Sequence, residues 1–382
     1  MKFLLAQINP VVGDLEGNAK KILNAASKAS SNSADLVLTP ELSLWGYPAN
    51  DLLLKNNLIR NQYQILDQLA LVINKKYGNL SITVGIAEII NDSFFPNLYN
   101  SIALLERGEW KIIARKIILP TYEVFDEKRY FRSEEKVSVL TKEIHNKTWR
   151  IGFTICEDLW VNKNIEGRGI HKENPISDLK KKKVDILVNL SASPYTFKKL
   201  ELRSKVSSFA AKYLQVPLIY VNQIGANDNL IFDGNSFILD KNGSKIKQLK
   251  SFSEDLSSWH IKQTIPEKKE FEQSEISSIF DALVLGVRDY AQKCGFKTAL
   301  IGLSGGIDSA LVSAIATAAL GSNNIYCVSM PSKWSSSHSK SDAKDLARRL
   351  KINFNSIPIE NLMNSFEESF IKTISFEMAE IT

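Results

Sequence analysis

Cys156 closes an apolar, branched run, Arg150-Ile-Gly-Phe-Thr-Ile-Cys, and a polar Glu157-Asp158 step follows at once. A thiol at a strand's end is held by the scaffold yet turned toward solvent. Even at an ordinary pKa of about 8.5, a few per cent of it is nucleophilic thiolate at neutral pH. Taken alone, Cys156 could equally be a buried, inert cysteine, since free cysteine is among the most buried residue types. Glu41 has the same kind of address, in Pro40-Glu41-Leu42 after the apolar run 35–39, although a surface glutamate in a loop is the plainer reading of it alone. Lys116 stands among isoleucines in Trp110-Lys-Ile-Ile-Ala-Arg-Lys-Ile-Ile-Leu-Pro120, where a lysine either reaches out to water or pairs with a carboxylate. One acid, one cation and one thiol, each at or near a strand end, form a first constellation. A second lies far downstream, where Ser304-Gly-Gly-Ile-Asp-Ser309 separates the apolar run 297–303 from a stretch of small residues at 310–320. Strand, glycine loop and helix make an anion site, with backbone N–H groups and a helix N-terminus directed at a phosphate. Paired glycines alone would fit an ordinary strand-to-helix turn, but the full hexapeptide is more specific. It is not a Walker A loop, because no Gly-Lys-Ser/Thr follows at that spacing.

The elements that must position these residues can be read from the apolar pattern. Strands are expected at 3–8, 35–39, 81–88, 100–105, 150–155, 185–190, 218–222 and 236–240, the last followed by an Asn242-Gly243 hairpin turn. Helices are expected at 18–29, 51–77 and 201–214. Residues 122–131 are too dense in charge and aromatics for a plain linker. Many strands with helices between some of them imply a layered α/β or α+β sandwich over residues 1–260. Residues 251–273 lose hydrophobic periodicity and carry Pro266-Glu-Lys-Lys-Glu270, which reads as a crossing to a second domain at 274–382. There Ser274 could cap a helix running to about Cys294. Strands at 297–303, 325–330 and 352–359, with helices at 310–320 and 341–350, predict a parallel sheet with the glycine loop at the carboxyl end of its first strand.

The bulk numbers narrow the class. A chain of 382 residues favours two or three domains, and 48 basic against 42 acidic residues leave a mild formal charge of +6. No basic stripe interleaved with aromatics points to nucleic acid, and the run Lys180 to Lys183 reads as a solvated helix end, where cations complement the dipole. Cys156, Cys294 and Cys327 are too widely spaced for a disulfide framework or a zinc site, and four scattered histidines add no metal cluster. Cys294 and Cys327 are most simply core or linker cysteines. The amino-terminal run stops at Pro10 without a cleavage site, and no apolar run reaches a bilayer's span. A reduced, soluble, cytoplasmic protein without a membrane partner is expected.

The stretches Pro40-Glu41-Leu42, Lys116-Ile-Ile-Leu-Pro120 and Ile155-Cys156-Glu157-Asp158-Leu159-Trp160 resemble, in order, the three signatures of the nitrilase (carbon–nitrogen hydrolase) superfamily. That resemblance covers roughly residues 1–260 and implies an α-β-β-α sandwich. It also implies amide hydrolysis through a covalent thioester: Glu41 as base, Cys156 as nucleophile, Lys116 stabilising the tetrahedral intermediate, and Glu127 as an auxiliary carboxylate. Ser304–Ser309 resembles the pyrophosphatase loop of enzymes that split ATP into AMP and pyrophosphate, with magnesium bridging the phosphates. The two together are similar to the glutamine-dependent NAD synthetase family. Gln7-Ile-Asn-Pro-Val-Val-Gly-Asp-Leu-Glu-Gly-Asn18, Leu119-Pro-Thr-Tyr-Glu-Val-Phe-Asp-Glu-Lys-Arg-Tyr-Phe131 and Met330-Pro-Ser332 also look like that family. Where the family usually has Asn-Tyr-Gly after the proline, this chain has Thr121-Tyr122-Glu123.

This resemblance implies that Tyr122, Ser193 and Lys199 hold glutamine, and that Gly302, Leu303, Ser304, Gly305, Gly306, Ile307, Asp308 and Ser309 bind ATP. Deamido-NAD would be adenylylated by ATP, and ammonia from the first domain, kept neutral in a passage between the sites, would displace AMP. A homo-oligomer is expected. The family's synthetase domain would run past residue 382, so the chain is expected to be competent only for the glutaminase half. Two rivals remain at this point. A stand-alone nitrilase-type amidase leaves the second loop idle, and a non-catalytic nucleotide-binding remnant uses only that loop. An asparagine-synthetase-like glutaminase would need a cysteine directly after Met1, where this chain has Lys2.

Overall fold

Phe3 and Leu5 face one way along the first strand and Leu4 and Ala6 the other, and all four are fully buried. Only a strand with a layer on each face does this, and the pattern recurs across the amino-terminal unit. The computed structural model describes residues 1–90, 95–122, 125–161, 174–263 and 274–373. Glu123 and the expected linker's proline-bearing stretch 266–270 lie outside the described residues.

The chain divides into two units, Met1–Ala282 and Leu283–Thr382. In order, the first contains β1 (Lys2–Gln7), α1 (Leu15–Ser31), β2 (Leu36–Leu38), α2 (Asn56–Tyr77), β3 (Ser81–Ile89), β4 (Leu98–Glu106) and β5 (Glu109–Arg115). There follow β6 (Ser138–Ile144), β7 (Lys147–Ile155), α3 (Pro175–Lys181), β8 (Ile186–Ser191), α4 (Lys199–Leu214), β9 (Leu218–Asn222), β10 (Ile224–Asn227), β11 (Leu230–Asp233), β12 (Phe237–Leu239), β13 (Lys245–Gln248) and β14 (Asp255–His260). Two six-stranded sheets result, ordered β14-β1-β2-β3-β4-β5 and β13-β12-β9-β8-β7-β6. Phe3, Leu5, Leu38, Ile151, Phe153, Val188 and Val221 fill the space between them. Helices α1 and α2 cover the first sheet through Ile22, Ala26, Leu66 and Leu69, and α3 and α4 cover the second through Leu179, Val206 and Ala210. Each such aliphatic side chain contributes about 1.5–3 kcal/mol on burial, so the α-β-β-α layering is fixed by apolar contact and leaves the strand ends free to carry polar groups.

Several boundaries differ from expectation. Helix α1 starts at Leu15 because the Asp14 side chain accepts from Gly17 N at 2.9 Å and caps it. The expected helix 51–77 is broken: Asn50–Leu54 is a 3-10 turn, and extended Lys55 separates it from α2. Residues 255–260, expected as connecting chain, form β14, an edge strand antiparallel to β1 from Lys2↔His260 to Gln7↔Asp255. Its one buried side chain, Trp259, stacks on Phe3 at 6.0 Å between ring centroids. A half-exposed edge needs little apolar alternation, so its sequence resembles a loop. Strands β6, β10 and β11 were not expected either, and β6 is likewise an edge.

Helix α5 (Glu275–Lys293) begins with Ser274 Oγ accepting from Ser277 N at 3.2 Å. The second unit then runs β15 (Ala299–Gly302), α6 (Ile307–Leu320), β16 (Ile325–Ser329), α7 (Ser337–Leu350), β17 (Asn353–Ser356) and α8 (Glu360–Thr373). Its sheet is parallel throughout, ordered β15-β16-β17. Leu303, Ala316, Ile325, Cys327, Ala343, Ala347 and Ile352 form its core. Helix α6 starts at Ile307, so Ile307, Asp308 and Ser309 are its first turn rather than loop.

Candidate active site

Cys156 begins a 3-10 turn, Cys156–Leu159, immediately after β7, and its backbone is left-handed with φ +47°. That conformation is uncommon outside glycine and costs of order 1–3 kcal/mol, so the surroundings must hold it. Asn189 on β8 does so from one side: its Oδ1 accepts from Cys156 N at 3.1 Å and its Nδ2 donates to Cys156 O at 3.2 Å. Ser191 Oγ in turn donates to Asn189 Oδ1 at 2.9 Å. Asp158 holds the turn from within, its Oδ2 accepting from Ile155 N at 2.9 Å. Its Oδ1 accepts from Ile117 N at 3.0 Å and Ile118 N at 2.8 Å, which ties the Cys156 turn to the chain just after Lys116.

Lys116 follows β5, and its side chain is wholly buried, with Nζ 2.7 Å from Glu41 Oε1 and 2.7 Å from Glu127 Oε1. Glu41 leaves the end of β2 and is also fully buried. Its Oε1 accepts from Asn100 Nδ2 at 2.7 Å and its Oε2 from Ala192 N at 2.9 Å. Tyr47 OH donates to Glu127 Oε1 at 2.7 Å. Glu127 Oε2 and Asn100 Oδ1 are buried acceptors with no partner among the described residues.

The charges set the protonation states. Burial alone would lower the Lys116 pKa, but the carboxylates of Glu127 and Glu41 outweigh it and hold the amine well above its usual range, as an ammonium. Burial pushes Glu127 up to about 7, helped by the Glu41 charge and opposed by Lys116. Burial and then the Glu41 charge push the Cys156 thiol well above its ordinary value, only partly offset by Lys116. At rest the thiol therefore keeps its proton, and the arrangement needs an acceptor for it. All three groups at 41, 116 and 156 thus share one buried electrostatic neighbourhood.

Each of the three residues expected to hold glutamine has a protein partner of its own. Tyr122 OH donates to Glu157 Oε1 at 2.8 Å. The Ser193 hydroxyl accepts from Arg203 Nε at 3.1 Å. Lys199 opens α4, with Nζ 5.0 Å from the Trp160 ring centroid. Sequence reasoning missed Tyr47, Asn100, Asp158, Asn189 and Arg203. A polar residue inside an apolar strand run was the available signal for two of them, Asn100 on β4 and Asn189 on β8.

In the second unit, Gly305 has φ +89°, and an added Cβ there would lie 2.1 Å from Ser339 O, so only glycine fits. Ser304 Oγ accepts from Gly306 N at 3.2 Å and lies 3.0 Å from Ser309 Oγ, closing the loop on itself at the start of α6. A cavity of about 200 Å³ beside it is lined by Gly302, Leu303, Ser304, Val328, Met330 and Ser339, among others.

Comparison with known proteins bears on both units. Residues 5–269 match the carbon-nitrogen hydrolase family and residues 279–381 match NAD synthase. The chain is 42% identical over 375 residues to a glutamine-dependent NAD(+) synthetase of Synechocystis, covering 96% of this chain and 66% of that protein. With the enzyme of that description from Aquifex aeolicus it shares 33% identity over 100% of its own length and 69% of the relative's. The chain belongs to the glutamine-dependent NAD(+) synthetase family. A solved synthetase of that family from Acinetobacter baumannii, in complex with ADP, superposes with a TM-score of 0.87 at 34% identity, over 99% of this chain and 68% of that one. An amidase of Nesterenkonia from the nitrilase superfamily matches 68% of this chain at a TM-score of 0.55 and 19% identity, a likeness of fold. The chain thus spans about two thirds of the length of the NAD(+) synthetases it matches. A stand-alone amidase would leave the NAD synthase match over 279–381 without a place.

Proposed function

We propose that the protein acts as a glutamine-dependent NAD synthetase, with the glutaminase chemistry in the unit built by residues 1–260 and the nucleotide chemistry in the one from 274 onward. The observation that carries the first half is the fully buried Glu41–Lys116 pair, 2.7 Å apart, whose charges act on a protonated Cys156 thiol at a strand's end. Glu41 takes the thiol proton as Sγ attacks the carboxamide carbon of glutamine. Lys116, kept as an ammonium, donates to the oxygen that becomes negative, a kind of contact worth about 10²–10³ in rate. Glu41 returns the proton to the leaving nitrogen, ammonia departs, and a thioester remains on Cys156. Water, deprotonated by Glu41, then releases glutamate. On the family resemblance, Tyr122, Ser193 and Lys199 would hold the amino-acid end of glutamine. The unpartnered acceptors Glu127 Oε2 and Asn100 Oδ1 suit an amide NH₂ or the departing ammonia.

For the second half, residues 302–309 would hold the phosphates of ATP at the amino terminus of α6. Deamido-NAD would attack the α-phosphate and release pyrophosphate, and ammonia would displace AMP to leave the amide. Magnesium would enter on the ATP phosphates. Among the described residues no three metal-ligating side chains cluster, and Asp308 is the acidic residue at hand in the loop. No helix among the described residues is long and apolar enough to cross a membrane, and all three cysteines are unpaired, in keeping with a cytoplasmic enzyme of small-molecule substrates. Assembly as a homo-oligomer rests on the family resemblance alone.

Two assays test the two halves separately. Glutamate release from glutamine should occur without ATP, and its absence would overturn the glutaminase half. ATP should bind at residues 302–309 and Gly305→Ala should abolish that binding, read by calorimetry; no binding, or binding that the substitution leaves unmoved, would overturn the nucleotide half.

A further inference from the structure

Arg203, in the first turns of α4, is a wholly buried cation. Its guanidinium makes a two-pronged pair with Asp233 at the end of β11, Nη2 to Oδ1 at 2.8 Å and Nη1 to Oδ2 at 3.1 Å. Its other hydrogen bonds run to a neighbouring segment. Nη2 also donates to Ser193 O at 2.9 Å and Pro194 O at 3.0 Å, and Nε donates to Ser193 Oγ at 3.1 Å. A buried ion pair is weak evidence of stability, because desolvation offsets much of its attraction. What distinguishes this one is where its spare hydrogen bonds go.

They all go to the segment that leaves β8. Just before Ser193 in that segment, Ala192 N donates to Glu41 Oε2 at 2.9 Å, and Ser191 Oγ donates to the Asn189 amide that brackets Cys156. Asn222 grips Ser193 from the other side, accepting from Ser193 N at 2.9 Å and donating to Ser193 O at 3.2 Å. We infer that the Arg203–Asp233 pair is a positioning unit for the reaction, locking residues 191–194 so that the Ala192 N–H fixes the carboxylate of Glu41 and Asn189 fixes Cys156. This rests on the roles proposed above for Glu41 and Cys156.

The consequence is specific. Loosening residues 191–194 misplaces the Ala192 N–H that holds the Glu41 carboxylate at 2.9 Å, so the loss should fall on the chemical step and appear in kcat.

The test compares wild type with the double variant Arg203→Met/Asp233→Leu and with Arg203→Lys. Replacing both ions by apolar side chains of similar bulk is often tolerated by the fold, and Arg203→Lys keeps the charge pair while losing the fork that spans both carbonyls. Expected for the double variant are a cooperative melt and a fall of about 100-fold in kcat/KM for glutamine, carried mostly by kcat. Arg203→Lys should lie between the two. A wild-type chain that releases no glutamate would overturn the functional reading, and this inference with it. An active wild type beside folded variants with an unchanged kcat, or with a change in KM alone, would overturn this inference and leave the functional reading standing.

Discussion

Burying an ammonium costs several kcal/mol unless its partners are close, and Lys116 meets that condition with two carboxylates, each 2.7 Å away. Two acids around one cation leave a surplus negative charge in a buried space, which burial then penalises. Glu127 absorbs that surplus by binding a proton more readily than usual, its pKa being pushed from 4.5 to about 7. The sign of the consequence follows from linkage. Between pH 4.5 and about 7 the folded chain holds a proton at Glu127 that the unfolded chain has lost, so this group's contribution to stability is greatest at the acid end and falls as pH rises. We predict that Glu127→Gln flattens the fall in unfolding free energy across that window, measured by urea titration at several pH values. An unchanged slope would mean that Glu127 does not carry the proton. Tyr47, whose hydroxyl donates to Glu127, is pushed well above its ordinary pKa by burial and then by the Glu127 and Glu41 charges, and it remains a neutral donor throughout.

At the scale of elements, Glu41, Lys116 and Cys156 each sit just past the end of a strand. Gly85 in β3 shows how close the packing around Glu41 is. A Cβ there would lie 2.2 Å from Leu42 N and 2.6 Å from Pro40 O, on both sides of Glu41. Gly85→Ala should therefore displace the Glu41 segment, costing about 1–3 kcal/mol of stability and about 100-fold in glutamine turnover. Denaturant titration and steady-state kinetics check the two effects. The doubly buried strands β1, β7, β8 and β9 and the family signatures were legible in the sequence because apolar runs and motif order are local. Edge strands β6 and β14 were not, since a half-wetted edge imposes no apolar alternation. The supports of the site were also hidden. Asn189 reaches Cys156 from 33 residues away, Ala192 reaches Glu41 from 151 away, and such polar contacts leave no periodic trace. The left-handed backbone of Cys156 is likewise set by tertiary contacts rather than by its residue type.

At the scale of the whole molecule, the two units differ in how much apolar material they enclose. The first closes three large clusters around its two sheets, whereas the described core of the second has one cluster of seven buried residues around three strands and a small one of Val284, Ile315 and Ala319. We predict two calorimetric transitions, the second unit melting first. ATP should raise the lower one alone, by about 2.7 kcal/mol when present at a hundred times its dissociation constant. A single transition that ATP does not move would count against an independent nucleotide site. The chemistry proposed for the larger unit turns on one covalent bond, and the most direct measurement is to look for it. The chain is mixed with glutamine, quenched in acid within the turnover time, digested with pepsin and mapped by mass spectrometry. We predict a glutamyl adduct on the peptide bearing Cys156, lost in Cys156→Ser together with glutamate release. An adduct on Cys294 or Cys327, or undiminished glutamate release by Cys156→Ser, would contradict it.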